Sequence, residues 1–162
     1  MVLICALLGA LVLSASAGAK TSKYCHLIPE RDLGKPVGVS GLRVTSVIVP
    51  YPAATNVKGK VTFCQHATRK GLTVQTIFTR LSSAPAAQGE FVRAIHGQRD
   101  SGRFLSKVRG PWDDGYFLGG DGMLVIKGRF MVRITYDPAV PGYDRVSEQT
   151  FVRFARKATR KL

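Results

Sequence analysis

The segment VKGKVTFC, residues 57–64, decides the fold class because its side chains alternate in character. Two valines, a glycine and a phenylalanine fall on one face of an extended chain, and two lysines, a threonine and a cysteine fall on the other. A period of two residues predicts a half-buried β-strand. A loop at 66–71 separates this segment from LTVQTIFTRL, residues 72–81, whose β-branched residues predict a second strand. Together the two segments predict a hairpin.

Other short segments of strand composition continue this pattern along the chain. The remaining predicted strands are residues 42–49, 91–96, 123–126, 130–136 and 150–155. Turn and loop residues dominate the stretches between them, at 82–89, 97–122 and 137–144. No segment shows helical periodicity of useful length, so the chain predicts an all-β fold, either a sandwich or a barrel.

The predicted domain has an extension at each end. The domain itself is expected to span residues 42–156. Residues 18–41 contain glycines and prolines and predict an irregular N-terminal arm. Residues 157–162 form a basic C-terminal tail, which is expected to fray.

The amino terminus has the pattern of a secretory signal peptide. Residues 2–13 form an uncharged apolar run, and the small residues SASA follow at 14–17. The run is shorter than the roughly 20 apolar residues that span a bilayer. We therefore expect residues 1–17 to be removed and the mature protein to be secreted or extracellular, a virion surface included. An uncleaved anchor is the alternative.

Two cysteines remain after the predicted signal peptide, Cys25 and Cys64. A pair of cysteines in an oxidising secretory route predicts one disulfide. Two free thiols, or a bridge to another chain, are the alternatives. Zinc held by the two thiolates with His26 and His66 is a further alternative, although the spacing matches no established zinc motif.

Four stretches in the same order resemble the copper/zinc superoxide dismutases. VKGKVTFCQ at 57–65 is similar to the first hairpin of that family, V-x-G-x-V-x-F-x-Q. AIHGQRD at 94–100 is similar to its copper motif, H-[VI]-H-E-[FY]-G-D. GRFMVRITYDP at 128–138 and TFVRFAR at 150–156 look like its last two conserved stretches. The resemblance implies a Greek-key β-barrel.

The same resemblance implies that the catalyst is lost. A copper site of that family takes four histidines, and its zinc site takes three, one of them shared, plus an aspartate. This chain has three histidines in all, His26, His66 and His96, and Ala94 and Ile134 stand where the family has two more. Only 31 residues separate His96 from Gly128, with no histidine among them. The family has a long histidine-rich loop there, so the resemblance implies a shortened metal loop. We therefore expect no catalytic residues, no metal and no other cofactor.

Two residues of the resembled motifs, His96 and Arg153, could still bind an ion in the absence of catalysis. His96 could form a residual metal site with the carboxylates of the loop, although a satisfied structural histidine is the favoured interpretation. Arg153 matches the arginine that guides superoxide in the dismutases, which implies a residual anion site; a solvated strand arginine is the alternative. The loop carboxylates are Asp100, Asp113, Asp114 and Asp121.

The charge of the chain points to a polyanionic partner. Lysine and arginine total 24 against 10 acidic residues, a formal net charge of +14. The predicted anion-binding residues are Arg153, Arg156, Lys157, Arg160 and Lys161 near the C-terminus, and Lys58, Lys60, Arg69 and Lys70 in the hairpin. A third basic group comprises Arg99, Arg103, Lys107 and Arg109. The alternative is that the charge only aids solubility.

The expected function is that of a secreted, basic, non-catalytic, dismutase-like module with a binding or structural role. Few aromatic residues lie near the basic groups in the sequence, so stacking on single-stranded bases is poorly supported. We therefore expect a glycosaminoglycan or a cell-surface or virion partner, and rank nucleic acid below these. The alternative is an unrelated immunoglobulin-like β-sandwich that binds a protein ligand.

Overall fold

The computed structural model describes residues 21–52, 57–69, 73–119, 122–137 and 146–162. The predicted signal peptide at 1–17 lies outside these ranges, as do Lys70, Asp121 and most of the predicted loop at 137–144.

Seven strands and three α-helices form the described part of the chain. The strands are β1 (Arg43–Pro50), β2 (Gly59–Ala67), β3 (Thr73–Leu81), β4 (Ser106–Lys107), β5 (Asp114–Phe117), β6 (Met123–Lys127) and β7 (Phe130–Tyr136). The helices are α1 (Glu30–Gly34), α2 (Ala84–Asp100) and α3 (Glu148–Thr159). Two 3₁₀ turns occupy Lys23–His26 and Lys35–Val37.

The strands form one antiparallel sheet in the order β1-β2-β3-β7-β6-β5-β4. The first three strands follow one another, and α2 then carries the chain from β3 to β4 at the far edge. The last four strands return in sequence until β7 pairs with β3. This antiparallel, β-rich architecture confirms the expected class in its broad form. A Greek-key barrel is not confirmed, because the described strands belong to a single sheet of this order.

The predicted hairpin is confirmed. Strands β2 and β3 pair antiparallel, with Phe63 opposite Ile77 and Cys64 opposite Thr76. The strands predicted at 42–49, 123–126 and 130–136 correspond to β1, β6 and β7. The stretch expected to be a loop-rich connection, 97–122, also contains β4 and β5.

Helix α2 replaces a predicted link at 82–89 and a predicted strand at 91–96, and both predictions are wrong. The Ser83 hydroxyl caps the helix by accepting from the Ala86 amide at 3.2 Å, and a proline lies in the first turn, where it is tolerated. Ala87, Phe91 and Ile95, spaced four residues apart, are buried on one side of the helix.

Helix α3 replaces the predicted closing strand at 150–155 and part of the tail at 157–162. The Ser147 hydroxyl accepts from the Thr150 amide at 3.3 Å and caps the helix. Phe151, Phe154 and Ala158 are buried on one face, and the basic residues are exposed on the other. The prediction of a frayed tail is wrong for its first part, because Ala158 and Thr159 are fully buried.

The N-terminal arm is an irregular series of short helical turns fixed to the sheet by a disulfide. Cys25 and Cys64 are bonded, with a Cα–Cα distance of 5.3 Å, which confirms the predicted pair. Zinc coordination by these thiolates is therefore excluded in this structure. The arm is also held by a hydrogen bond of 2.6 Å from the Tyr136 hydroxyl to the Leu33 carbonyl.

The two faces of the sheet carry separate parts of the core. On the first, which we call the disulfide face, Cys64, Phe78 and Val132 pack against the N-terminal arm and α3. On the opposite face, Leu124 and Met131 pack against α2. Each fully buried side chain of this size contributes about 1.5–3 kcal/mol to stability. Helical segments therefore pack against both faces of the sheet, while Val47, Ile48 and Phe63 at its β1–β2 end remain exposed.

Candidate anion-binding sites

The structure divides the predicted basic residues between two clefts and open surface. Lys58 and Lys60 line one cleft, and Arg153 and Lys157 line another. The other predicted anion-binding residues within the described ranges are exposed and do not line either cleft: Arg69, Arg156, Arg160 and Lys161.

The first cleft, which we call the hairpin cleft, lies where β2 begins and β3 ends. Its volume is 370 Å³. Four of its seven lining residues are cations, two from the predicted hairpin group and two that the sequence analysis did not single out. The lining residues are Lys58, Gly59, Lys60, Arg80, Leu81, Ser82 and Arg129.

Strand register and backbone hydrogen bonds bring these cations together from three segments. Lys60 lies directly opposite Arg80 in the β2–β3 pair, so both side chains are on the same face. The Leu81 amide donates to the Arg129 carbonyl at 2.9 Å, which places the β6–β7 turn beside the end of β3. The Ser82 amide donates to the Lys58 carbonyl, also at 2.9 Å. The cations are therefore positioned by the main chain of the sheet.

A glycine allows the strands to approach closely at this cleft. A Cβ atom on Gly59 would lie 2.6 Å from Cδ2 of Leu81 and 2.7 Å from the Arg80 carbonyl oxygen. Both distances are shorter than a Cβ contact permits. Gly59, which belongs to the alternating segment of the sequence, therefore allows the close packing of the cleft wall.

Two cations near the disulfide face lie over aromatic rings. The Arg80 guanidinium carbon lies 6.0 Å from the centroid of the Phe130 ring, and Nζ of Lys23 lies 5.7 Å from the Tyr24 centroid. The Tyr24 ring also stacks on Phe78, with 5.6 Å between the centroids. A cation over an aromatic ring is stabilised by about 0.5–1 kcal/mol at an exposed site. These rings are thus already engaged by neighbours within the protein.

The hairpin cleft has an uncompensated positive charge within the described part of the chain. No carboxylate lines it, and none of the ion pairs between described residues involves its four cations.

The carboxylate of Glu90 on α2 is buried and accepts from Arg93 and from the Tyr51 hydroxyl at 2.7 Å. Burial and this hydrogen bond raise the pKa of Tyr51 to about 12.

The second cleft lies between α1 and α3 and has a mixed lining. Its volume is 330 Å³. Here Nζ of Lys157 donates to Oδ2 of Asp32 at 2.5 Å. This ion pair holds the pKa of Asp32 below its ordinary value. We call it the α1–α3 cleft; it is lined by Asp32, Lys35, Pro36, Thr150, Arg153 and Lys157.

Two of the four residues of the third basic group, Arg99 and Lys107, lie over an aromatic ring of β5. The guanidinium of Arg99 and the ammonium of Lys107 lie 5.8 Å and 5.9 Å from the Tyr116 centroid. Lys107 also pairs with Asp114 at 3.3 Å. Part of this charge is therefore compensated by the protein itself.

The three histidines have different environments. His66 is fully buried on β2, with Nε2 3.2 Å from the Thr76 hydroxyl. His26 lies 3.3 Å from Glu30. His96 is exposed on α2. Among the described residues, no three His, Cys, Asp or Glu side chains are grouped so that they could hold a metal ion.

No protein-family model, curated protein or solved structure matches this chain. The resemblance to the dismutases therefore remains a sequence-based prediction. Of the stretches that suggested it, 57–65 begins the predicted hairpin, whereas 94–100 and 150–156 lie in α2 and α3. Within the ranges that the structure describes, no helix has both the length and the apolar character needed to cross a membrane.

Proposed function

We propose that this protein is a secreted, non-catalytic module that binds a sulfated polysaccharide through the hairpin cleft. The observation that carries the proposal is the convergence of Lys58, Lys60, Arg80 and Arg129 on one cleft whose lining has no carboxylate. Four cations held close together without counter-charge repel one another, and a polyanion relieves this repulsion. A role in solubility alone does not require such convergence.

Binding is favoured over catalysis by the chemistry of these side chains. Ammonium and guanidinium groups are hydrogen-bond donors with no acceptor, so they can hold sulfate oxygens but cannot accept a proton from a substrate. The predicted secretory route would expose the protein to sulfated polysaccharides. The buried Cys25–Cys64 disulfide is compatible with that route.

A polysaccharide is favoured over nucleic acid by the state of the aromatic rings. Sequence-tolerant binding of single strands uses free aromatic faces on which bases stack. Beside the hairpin cleft, the Tyr24 ring already contacts Phe78 and Lys23, and the Phe130 ring contacts Arg80. The rings therefore position cations, which suits sulfate groups distributed along a chain.

The proposal is tested by heparin binding of the mature protein across a range of salt concentrations. Arg80→Ala combined with Arg129→Ala removes two cleft cations. Arg109→Ala combined with Arg160→Ala removes two exposed arginines elsewhere, so both variants lower the formal net charge of +14 by two. The cleft variant should lose about ten- to a hundredfold in affinity, and the slope of log Kd against log salt should fall by about two. The control variant should change less than about threefold.

Two results would contradict the proposal. Equal losses in both double variants would mean that net charge alone attracts heparin and that the cleft has no special role. A single-stranded oligonucleotide of equal charge that competes more strongly than heparin would contradict the choice of polysaccharide.

A further inference from the structure

The α1–α3 cleft has rigid walls that belong to two different parts of the chain. On the α1 side, Leu33 is fully buried and its carbonyl accepts the hydrogen bond from Tyr136. On the α3 side, Phe151 and Phe154 are buried in the core of the disulfide face. Side chains that line the cleft therefore project from backbone that is fixed before any ligand arrives, which reduces the entropy lost on binding.

The charges of this cleft differ from those of the hairpin cleft in number and arrangement. Lys35, Arg153 and Lys157 supply three positive charges, and Asp32 supplies one negative charge. Because Lys157 already donates to Asp32, the cations left for a ligand are Lys35 and Arg153. Nη2 of Arg153 donates to the Thr150 hydroxyl at 3.1 Å, which orients the guanidinium at the cleft wall.

We propose that the α1–α3 cleft binds a small hydroxylated molecule that carries one phosphate or sulfate monoester, such as a sugar phosphate. The guanidinium of Arg153 presents parallel donors that match two oxygens of such a group, and Lys35 adds a point charge. Asp32 accepts hydrogen bonds, and it therefore selects a ligand with hydroxyl groups beside its anion. This cleft shares no lining residue with the hairpin cleft, so the two sites are distinct and this proposal does not depend on the function proposed for the hairpin cleft.

The size of the cleft agrees with this class of ligand. A volume of 330 Å³ is at the lower end of the range for small-molecule sites, about 300–1,000 Å³. Pro36 supplies an apolar wall beside the charged groups. A monosaccharide with one monoester group belongs to this class of small-molecule ligand.

The experiment measures binding of glucose 6-phosphate, glucose 6-sulfate and phenyl phosphate to the folded mature protein by calorimetry and by backbone amide shifts. We expect saturable binding of a sugar monoester with a Kd no weaker than about 1 mM. Comparison of the first two probes shows whether phosphate or sulfate is preferred. Phenyl phosphate lacks the hydroxyl groups and should bind about five times more weakly, because it cannot donate hydrogen bonds to Asp32.

Substitutions test whether the probes bind in the α1–α3 cleft. Arg153→Ala and Lys35→Ala should each weaken binding at least tenfold, while Arg153→Lys, which keeps the charge but loses the planar fork, should give an intermediate loss. Arg156→Ala, an exposed arginine on the same helix outside the cleft, should change affinity less than twofold. Asp32→Ala, which removes the hydrogen-bond acceptor, should remove the preference for the sugar monoester over phenyl phosphate, an effect that a purely structural role of Asp32 would not produce.

Three outcomes would overturn the inference: no saturable binding of any probe, an equal loss in Arg153→Ala and Arg156→Ala, or retention of the sugar preference in Asp32→Ala. Heparin binding of Arg153→Ala, measured in parallel, keeps the two proposals apart. It should remain within about threefold of the wild-type value, because Arg153 does not line the hairpin cleft.

Discussion

The buried imidazole of His66 should make the protein less stable in acid. The side chain is fully buried on β2, and Nδ1 has no hydrogen-bond partner within the described part of the chain. Burial lowers the pKa of His66 from 6.5 to about 4, and the charge of Glu30 opposes this effect only in part. The native protein therefore keeps the imidazole neutral at a pH where the unfolded chain would protonate it.

The sign and size of the effect follow from the two pKa values. Below pH 6.5 the unfolded state binds a proton that the native state does not, so stability falls as the pH falls and stops falling below about pH 4. A difference of about 2.5 pKa units corresponds to about 3 kcal/mol at 1.36 kcal/mol per unit. A loss of this size is a large part of the 5–15 kcal/mol that typically separates native from unfolded domains.

Urea unfolding between pH 7 and pH 4, followed by the fluorescence of the buried Trp112, measures this effect. Carboxylates also titrate in this range, so the informative quantity is the difference between wild type and His66→Gln. Glutamine can still hydrogen-bond Thr76 but cannot titrate. The variant should lose about 3 kcal/mol less than wild type over the range, whereas His96→Gln, at an exposed position on α2, should follow wild type. Equal pH dependence in His66→Gln and wild type would refute the reasoning, as would an imidazole NMR titration of His66 near pH 6.5 in the folded protein.

Two further predictions concern the arm and the helices. Replacement of both Cys25 and Cys64 by serine should lower the free energy of unfolding by about 4 kcal/mol, because the bond joins residues with a sequence separation of 39. Urea unfolding measures this change, and an unchanged urea midpoint would contradict it. Gly34→Ala should lower the free energy of unfolding by about 2–3 kcal/mol, because the new Cβ would lie 2.0 Å from the Val39 carbonyl oxygen. Gly89→Ala should raise the free energy of unfolding by about 0.5–1 kcal/mol, because Gly89 lies in α2 with open space around it. Equal changes in thermal midpoint for the two glycine variants would argue against this packing.

The strands could be predicted from the sequence where their pattern is local. In the hairpin, the alternation of residues 57–64 predicts the element type but not the buried face, because Thr62 and Cys64 of the polar set are buried whereas Phe63 of the apolar set is 42% exposed. The pairing of β3 with β7 could not be predicted in this way, because it joins segments separated by α2 and three strands. The placement of Arg80 beside Arg129 depends on that pairing, so only two of the four cations of the hairpin cleft could be predicted from the sequence.

The helices were missed because their local composition resembles that of turns and strands. Residues 82–89, SSAPAAQG, contain turn-forming residues, but a serine cap followed by a proline in the first turn is equally a helix start. Residues 150–155 combine β-branched and aromatic side chains, which favours a strand over a window this short. The helical period becomes visible only when Ala158 is included with Phe151 and Phe154.

Some cations of this protein stabilise the fold through intramolecular contacts, whereas others have no such contacts within the described residues. Arg156 and Lys157 lie in the last turn of α3, where positive charge interacts favourably with the helix dipole, and Nζ of Lys127 donates to the Thr159 carbonyl at the same end. These positions account for part of the basic composition without any ligand. Arg129 and Lys60 have no such intramolecular role within the described residues, and both line the hairpin cleft. Positive groups of this second kind are the ones that the proposed polyanion would compensate.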